Sequence, residues 1–166
     1  MRLILVRHAR AYERDSVAWS DDSQRPLTEK GSSAFRRLAK KVRRALRTVD
    51  RVESSAFVRA WQTAQLLHDA TDCPDPIRNE LLEGEGGTES IERLVRALDA
   101  HRARGALVWV GHEPTLSELT ARLVVGDSQA AIVKMRKGAI VCLELVFPVS
   151  SAHGPSARIE WMAIPR

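Results

Sequence analysis

The fold is decided by the opening stretch of the chain, MRLILVRHA (residues 1–9). Residues 3–6 form an unbroken apolar run, which is typical of a strand buried on both faces of a parallel sheet. The strand is predicted to end at Arg7, so that His8 follows at its carboxyl end. Ligands of open α/β sheets bind beyond the carboxyl ends of the strands. Arg7 and His8 are therefore the first candidates for a functional site.

Strand-like and helix-like patterns alternate along the rest of the chain. Short strands or extended segments are predicted at 51–55, 77–82 and 106–110, and helices at 28–49, 57–68, 90–101 and 114–125. Two strand-like runs, 139–147 and 157–164, are joined by a loop with Pro, Ser and Gly, which indicates a hairpin or a nearby antiparallel pair. The sequence predicts a single domain spanning residues 1–166, an α/β/α three-layer sandwich around a mostly parallel sheet that is mixed at one edge.

Composition narrows the class of protein. Of the 166 residues, 44% are apolar and 28% are charged, as is usual for soluble globular proteins. The apolar run at the N-terminus is too short for a secretory signal or a membrane-spanning helix, so we expect a cytoplasmic protein with no membrane partner. Cys73 and Cys142 are far apart, and we assign them no disulfide, metal or catalytic role.

The first helix combines an apolar stripe with a basic face. The stripe consists of Phe35, Leu38, Val42, Leu46 and Val49, and the basic face of Arg36, Arg37, Lys40, Lys41, Arg43, Arg44 and Arg47. The net charge of +5 could attract a phosphorylated substrate or nucleic acid. Because no aromatic side chains are interleaved with the basic ones, a solvated face is favoured over a nucleic-acid surface. We expect no nucleic-acid partner.

Polar side chains follow three predicted strands. Arg7 and His8 follow the first, a serine pair at 54–55 leads to Arg59 after the second, and His112 follows the strand at 106–110. If these strands are neighbours, two arginines and two histidines meet in one pocket. The planar guanidinium suits phosphate oxygens, and a neutral imidazole is a capable nucleophile near pH 7. His8 could then attack phosphorus while the arginines stabilise the negative charge.

Four segments, in this order, resemble the signatures of the histidine phosphatase superfamily: RHA at 7–9, RPLT at 25–28, SAFVRA at 55–60 and GHEP at 111–114. The short chain, together with the segments at 25–28 and 134–140, resembles its compact SixA-like phosphohistidine phosphatase branch. The resemblance implies a phosphoglycerate mutase-like fold, no metal ion and no cofactor.

The resemblance also implies roles for individual residues. His8 would be the phosphorylated nucleophile, Arg7 and Arg59 would bind phosphate, and His112 would complete the pocket. Ala9 and Ala56 depart from the glycine and the proline that are common in the superfamily, but both remain small.

Three carboxylates are candidates for the proton donor to the leaving group. Members that cleave phosphate esters usually place a carboxylate after the third strand, where this chain has Glu80, Glu83 and Glu85. Glu83 is the first choice as general acid, although an ordinary loop carboxylate is an alternative interpretation. A phosphohistidine substrate needs the acid less, because its imidazole leaving group can be protonated before cleavage.

Several further residues have two interpretations. Arg25 either reaches the substrate phosphate or pairs with Asp21 or Asp22. Ser55 either donates a hydrogen bond to phosphate or caps the following helix. Glu113 is most simply a favourable charge for a helix dipole. The remaining histidines are interpreted as structural or exposed: His68, His101 and His153.

These observations favour a phosphatase that acts on a phosphohistidine protein or on a small phosphorylated compound through a covalent intermediate at His8. A non-catalytic phosphate-binding or phosphate-sensing module is the alternative from another class of protein. A phosphomutase is less favoured, because the short chain leaves few residues for insertions that would exclude water from the intermediate. The oligomeric state is left open.

Overall fold

The structure, a computed structural model, describes residues 1–148 and 154–166. The remaining residues, 149–153, include His153 and part of the predicted loop between the last two strands, and they lie outside the described residues. The elements are, in chain order, β1 (Arg2–Arg7), α1 (Glu29–Val42), β2 (Val49–Ser54), α2 (Val58–Thr71), β3 (Pro76–Arg78), α3 (Thr88–Ala97), β4 (Ala106–Gly111), α4 (Thr115–Val125), β5 (Ile140–Val146) and β6 (Ser156–Ala163).

The strands form one sheet in the order β3-β2-β4-β1-β5-β6. β3, β2, β4 and β1 are parallel to one another. At one edge β5 runs antiparallel to β1, and β6 runs antiparallel to β5. This arrangement confirms the predicted mixed sheet. Because β4 lies between β1 and β2, the carboxyl ends of these three strands are adjacent.

The helices cover both faces of the sheet. Alternate residues of β1 point to opposite sides, and Ile4 and Val6 join the apolar core under α1 and α2. Leu3 and Leu5 join the second core, under α3 and α4. All four side chains are fully buried, which explains why the sequence of β1 is continuously apolar. Burial of each such side chain contributes about 1.5–3 kcal/mol.

Several element boundaries differ from those predicted. α1 ends at Val42, a 3-10 turn follows at Arg43–Leu46, and Val49 opens β2 instead of continuing the helix. Val49 keeps the helical spacing, but its backbone pairs with Ala106 of β4, and a β-branched residue suits a strand. The segment predicted at 77–82 also divides, into β3 and a 3-10 turn at Glu80–Glu83.

Gly31 allows close packing of α1 against the segment that follows His8. A Cβ atom added at Gly31 would lie 2.1 Å from the carbonyl oxygen of Arg10. The same carbonyl accepts a hydrogen bond from the backbone N–H of Thr28, which caps α1. The first turn of the helix is therefore held directly on the chain that leaves the site.

We expect Gly31→Ala to destabilise the protein by about 1–3 kcal/mol, although alanine is the better helix former, because the added methyl group meets backbone. Urea unfolding monitored by circular dichroism measures the effect. Ser33→Ala, at an exposed position of the same helix, is the control and should leave the stability nearly unchanged. A Gly31→Ala variant as stable as the wild type would contradict this packing.

Candidate active site

The adjacent ends of β1, β4 and β2 bring the predicted site residues together. Backbone pairing continues past the strands, since the N–H of His8 donates to Gly111 and that of Ser55 donates to Val110, both at 3.0 Å. The rings of His8 and His112 consequently lie 5.2 Å apart, centroid to centroid. Both rings are buried, so they form the floor of one site.

The ring of His8 is held in one orientation. Its Nδ1 lies 2.7 Å from the carbonyl oxygen of Ala9, and because a carbonyl only accepts, Nδ1 carries the proton. The N–H of Ala9 donates to Thr63 Oγ1 (3.0 Å), and Thr63 donates in turn to the carbonyl of Arg59 (2.7 Å). This arrangement leaves Nε2 of a neutral His8 with its lone pair available for attack.

Both histidines are strongly disfavoured as cations. Burial, with the nearby charges of Arg59, Arg7 and Lys137, lowers the pKa of His8 to about 3. Burial, with the proximity of His8 and the two arginines, also lowers the pKa of His112 to about 3. Both imidazoles are therefore neutral near pH 7, as nucleophilic attack by His8 requires.

The two arginines are anchored at the edge of the site. Arg59, with only 6% of its side chain exposed, donates from Nη1 to the carbonyl of Asp22 (2.7 Å) and lies 3.1 Å from the Asp22 carboxylate. Its guanidinium also lies over the ring of Phe57, 5.1 Å from the centroid. Arg7 donates from Nη1 to the carbonyl of Met135 (2.6 Å). Two guanidinium groups are thus fixed beside the histidine pair.

Unused hydrogen-bonding atoms are concentrated in this site. Over the part of the chain that the structure describes, four buried side-chain atoms have no hydrogen-bond partner: Arg7 Nε, Arg59 Nε, His112 Nδ1 and Glu113 Oε1. Three are nitrogens of the predicted phosphate-binding side chains, and one is an acceptor. Buried polar atoms are rarely left unpaired in folded proteins. Because potential donors outnumber the acceptor, the arrangement suits an anion.

An open cleft of about 630 Å³ borders the site on the side of His112 and Arg59, and its walls also include Glu83 and Glu85. Arg7 lines a different cavity. Glu83 Oε1 accepts a hydrogen bond from the N–H of Ala56 (3.0 Å), which turns the carboxylate towards the start of α2. Glu80 lines a separate cavity instead. Of the three carboxylates considered from the sequence, two therefore border the cleft.

Ser55 and Arg25 contact other site residues. Ser55 Oγ lies 2.9 Å from His112 Nε2 and also accepts the N–H of Phe57, so it orients the imidazole and caps the turn before α2. Arg25 donates from Nε to Asp22 (2.9 Å) and from Nη1 to the carbonyl of Tyr12 (2.6 Å). Hydrogen bonding by Arg25, with the charge of Arg59, lowers the pKa of Asp22. Of the alternatives for Arg25, the structure shows the pair with Asp22.

Sequence reasoning missed two supporting residues. Thr63 follows Arg59 by one helical turn, and this spacing was the one sequence signal that Thr63 lies near the site. Its hydroxyl group links the backbone of Arg59 to that of Ala9. Phe57 contacts both Arg59 and His112, with its ring 5.1 Å from the His112 ring. The role of Phe57 had no sequence signal, because an aromatic residue before a helix is more often part of a core.

Residues 1–148 and 154–166 also bear on metal binding and on membrane spanning. No group of three or more His, Cys, Asp and Glu side chains there is arranged to hold a metal ion. None of the helices in these residues combines the length and the apolar character needed to cross a membrane. Cys73 and Cys142 are both buried free thiols.

The sequence of this chain is similar to those of known phosphatases. The sequence model of the histidine phosphatase superfamily (branch 1) matches residues 3–123. The adenosylcobalamin/alpha-ribazole phosphatase of Salmonella typhimurium is 31% identical over 163 residues, covering 75% of this chain and 80% of that protein.

Solved structures share the fold. The protein histidine phosphatase SixA complexed with tungstate superposes with a TM-score of 0.79 at 22% identity, covering 98% of this chain and 96% of that chain. The alpha-ribazole phosphatase from Shigella flexneri superposes with a TM-score of 0.73 at 19% identity, covering 96% of this chain and 95% of that chain. The fold is the phosphoglycerate mutase-like fold that the sequence resemblance implied.

The lowered pKa values predict how stability depends on pH. An unfolded histidine takes up a proton below about pH 6.5, whereas the folded protein keeps His8 neutral to about pH 3. Stability from this difference is complete above pH 6.5 and is lost as the pH falls towards 3.

Between pH 8 and pH 5, we expect His8 to reduce the free energy of unfolding by about 2 kcal/mol. Urea unfolding of wild type and His8→Asn at both pH values measures this contribution, and the variant should lose less stability on acidification. Equal losses in the two proteins would show that His8 is not held neutral.

Proposed function

Because the chain belongs to the histidine phosphatase superfamily (branch 1), we propose that it is a phosphatase whose nucleophile is His8 Nε2. The observation that carries this proposal is the state of the His8 ring. Nδ1 is committed to the carbonyl of Ala9, and the ring is neutral beside two arginines. A neutral imidazole next to fixed guanidinium groups is the combination that in-line attack on a phosphoryl group requires.

The proposed reaction has two steps. The lone pair of His8 Nε2 forms a bond to phosphorus while the bond from phosphorus to the leaving oxygen or nitrogen breaks. Arg7 and Arg59 bind the equatorial oxygens and stabilise their charge, and His112 completes this cradle. Water then attacks the phosphohistidine, inorganic phosphate is released, and His8 regains its lone pair. No metal ion takes part in the proposed steps.

We assign the leaving-group proton to Glu83. Its Oε1 is held by the N–H of Ala56 at the wall of the cleft, beside the residues that would bind phosphate. An alkoxide is a poor leaving group and needs this proton, whereas a protonated imidazole needs it far less. The proton returns to Glu83 from the attacking water in the second step.

The substrate is proposed at the level of its chemistry, as a phosphohistidine protein or a small phosphate compound. The relative from Salmonella typhimurium is a phosphatase of a small molecule. The similar SixA structure contains tungstate, a tetrahedral oxyanion like phosphate. By this similarity, we place the phosphoryl group between His8, Arg7, Arg59 and His112.

Two neighbouring residues support the phosphate site in this proposal. Ser55 holds His112 through its hydroxyl group, and Arg25 holds the Asp22 carboxylate that in turn contacts Arg59. Both therefore act by orienting a group that binds phosphate.

We expect His8→Ala to reduce hydrolysis of para-nitrophenyl phosphate about a thousandfold or more, because the covalent step is lost. A radiolabelled substrate should leave acid-labile label on the wild-type protein and none on the variant. The assay contains EDTA, since the proposed mechanism uses no metal ion.

His68→Ala, a substitution of a histidine outside the cleft, is the matched control and should retain nearly full activity. Hydrolysis by His8→Ala at the wild-type rate would exclude the nucleophilic role. Absence of turnover and label in the wild type would favour the phosphate-binding module instead.

Glu83→Gln tests the proton donor. We expect a loss of about a hundredfold in kcat/KM for an alkyl phosphate such as glycerol phosphate, and little loss for a phosphohistidine peptide. Glutamine keeps the acceptor for the N–H of Ala56 but carries no transferable proton. Glu80→Gln is the control, because Glu80 borders a different cavity. Equal losses on both substrates would mean that Glu83 has only a structural role.

A further inference from the structure

Glu113 has no part in the reaction described above, yet it is an unusual carboxylate. Its Oε1 is buried and lacks a hydrogen-bond partner, and the same is true of Arg7 Nε. A bound phosphate could use the unpaired nitrogens of Arg59 and His112, but as a dianion it offers no donor to an ionised carboxylate. The unpaired oxygen of Glu113 therefore needs a different explanation.

Hydrogen bonds connect Glu113 to Arg7 through two other elements. Ser117, one turn along α4, donates to Glu113 Oε2 (2.7 Å). The same hydroxyl accepts the backbone N–H of Met135 (3.4 Å), and the carbonyl of Met135 accepts Arg7 Nη1 (2.6 Å). Met135 is fully buried, so this chain of bonds lies within the protein. Only the contact between Glu113 and Arg7 is missing from a closed ring.

The charges of the two groups favour that contact. Burial raises the pKa of Glu113, and the hydrogen bond from Ser117 and the charge of Arg7 oppose the rise. Burial lowers the pKa of Arg7, and the charge of Glu113 opposes it. Each of these half-buried charges thus has the other as a compensating neighbour.

We propose that Glu113 is a positioning residue that orients Arg7 for phosphate binding, with Glu113 Oε1 accepting the Arg7 Nε–H when the anion is bound. Met135 then fixes one Nη1 hydrogen, Glu113 fixes Nε, and the other guanidinium hydrogens remain for phosphate oxygens. The fork geometry of arginine makes its contribution depend on such orientation. This inference rests on the proposed role of Arg7 in phosphate binding.

Affinity for sulfate tests the inference without requiring turnover. Removing a negative charge by itself favours anion binding, so a weaker affinity in Glu113→Ala would report the orientation of Arg7 and not its charge balance. We expect Glu113→Ala to weaken sulfate binding about tenfold by titration calorimetry. Glu113→Gln, which keeps a side-chain acceptor for Arg7 Nε–H, should recover most of the loss.

A double-mutant cycle with Arg7→Ala identifies the residue through which Glu113 acts. Glu113→Ala should cause no further loss of sulfate affinity in the Arg7→Ala background. Glu118→Ala is the matched control: it removes a nearby carboxylate, on α4, that accepts the N–H of Gly87, and it should not weaken sulfate binding. Circular dichroism establishes that each variant is folded.

The outcomes separate the two levels of the proposal. If Arg7→Ala weakens sulfate binding and the loss from Glu113→Ala adds to it fully, the positioning role is wrong and the phosphate site stands. Unchanged affinity in Glu113→Ala would also overturn the positioning role alone. Unchanged affinity in Arg7→Ala would overturn both.

Discussion

The parallel pairing of β4 between β1 and β2 is the constraint on which the site depends. The register places Arg7 opposite Gly111 and Ser54 opposite Val110, so the residues immediately beyond the three strands are neighbours. His8 and His112 each follow their strand by one residue, and their rings meet as a result. A shift of one strand by a single residue would exchange its two faces and dismantle the site. The apolar faces that pack under the helices therefore hold the residues of the candidate site in place.

Burial of cations around two neutral histidines sets the electrostatics of the site. Arg59 is buried and Arg7 is half-buried. Desolvation of both charges is costly, and the nearby carboxylates of Asp22 and Glu113 offset only part of that cost. Burial, together with the positive charges of the two arginines, keeps both imidazoles unprotonated. A phosphate dianion would neutralise the positive charge, so the proposed binding of substrate and the neutral state of His8 are compatible in one site.

The sequence was sufficient for the features that depend on local pattern. The apolar run of β1, the antiparallel pair at the C-terminus and the polar residues after β1, β2 and β4 were all predicted in the right elements. The predicted ends of elements were wrong where a helical and a strand pattern overlapped. At Val49, for example, the apolar spacing of the helix continues into the first residue of β2. Glu83 was preferred over Glu80 as the general acid, but the sequence could not predict which cavity each side chain lines, because the 3-10 turn at this point has too few residues for a periodic pattern.

Contacts between residues that are distant in the sequence could not be predicted, for a different reason. The contact between Ser55 and His112 joins residues that are 57 positions apart, and the bond between Arg7 and Met135 joins residues 128 positions apart. Which side chains come into contact depends on how the loops pack at the edge of the sheet, and no local sequence pattern encodes that packing. The same holds for Glu113, whose unpaired oxygen is visible only once α4 and the segment around Met135 are in place.

A crystal structure with bound tungstate tests the role of His8 most directly, because tungstate has the tetrahedral shape and the charge of a phosphate dianion. We expect tungsten to lie in line with His8 Nε2 and the oxygens to accept hydrogen bonds from Arg7, Arg59 and His112. Tungstate bound elsewhere at saturating concentration, with the His8 site empty, would contradict the assignment of His8 as the nucleophile.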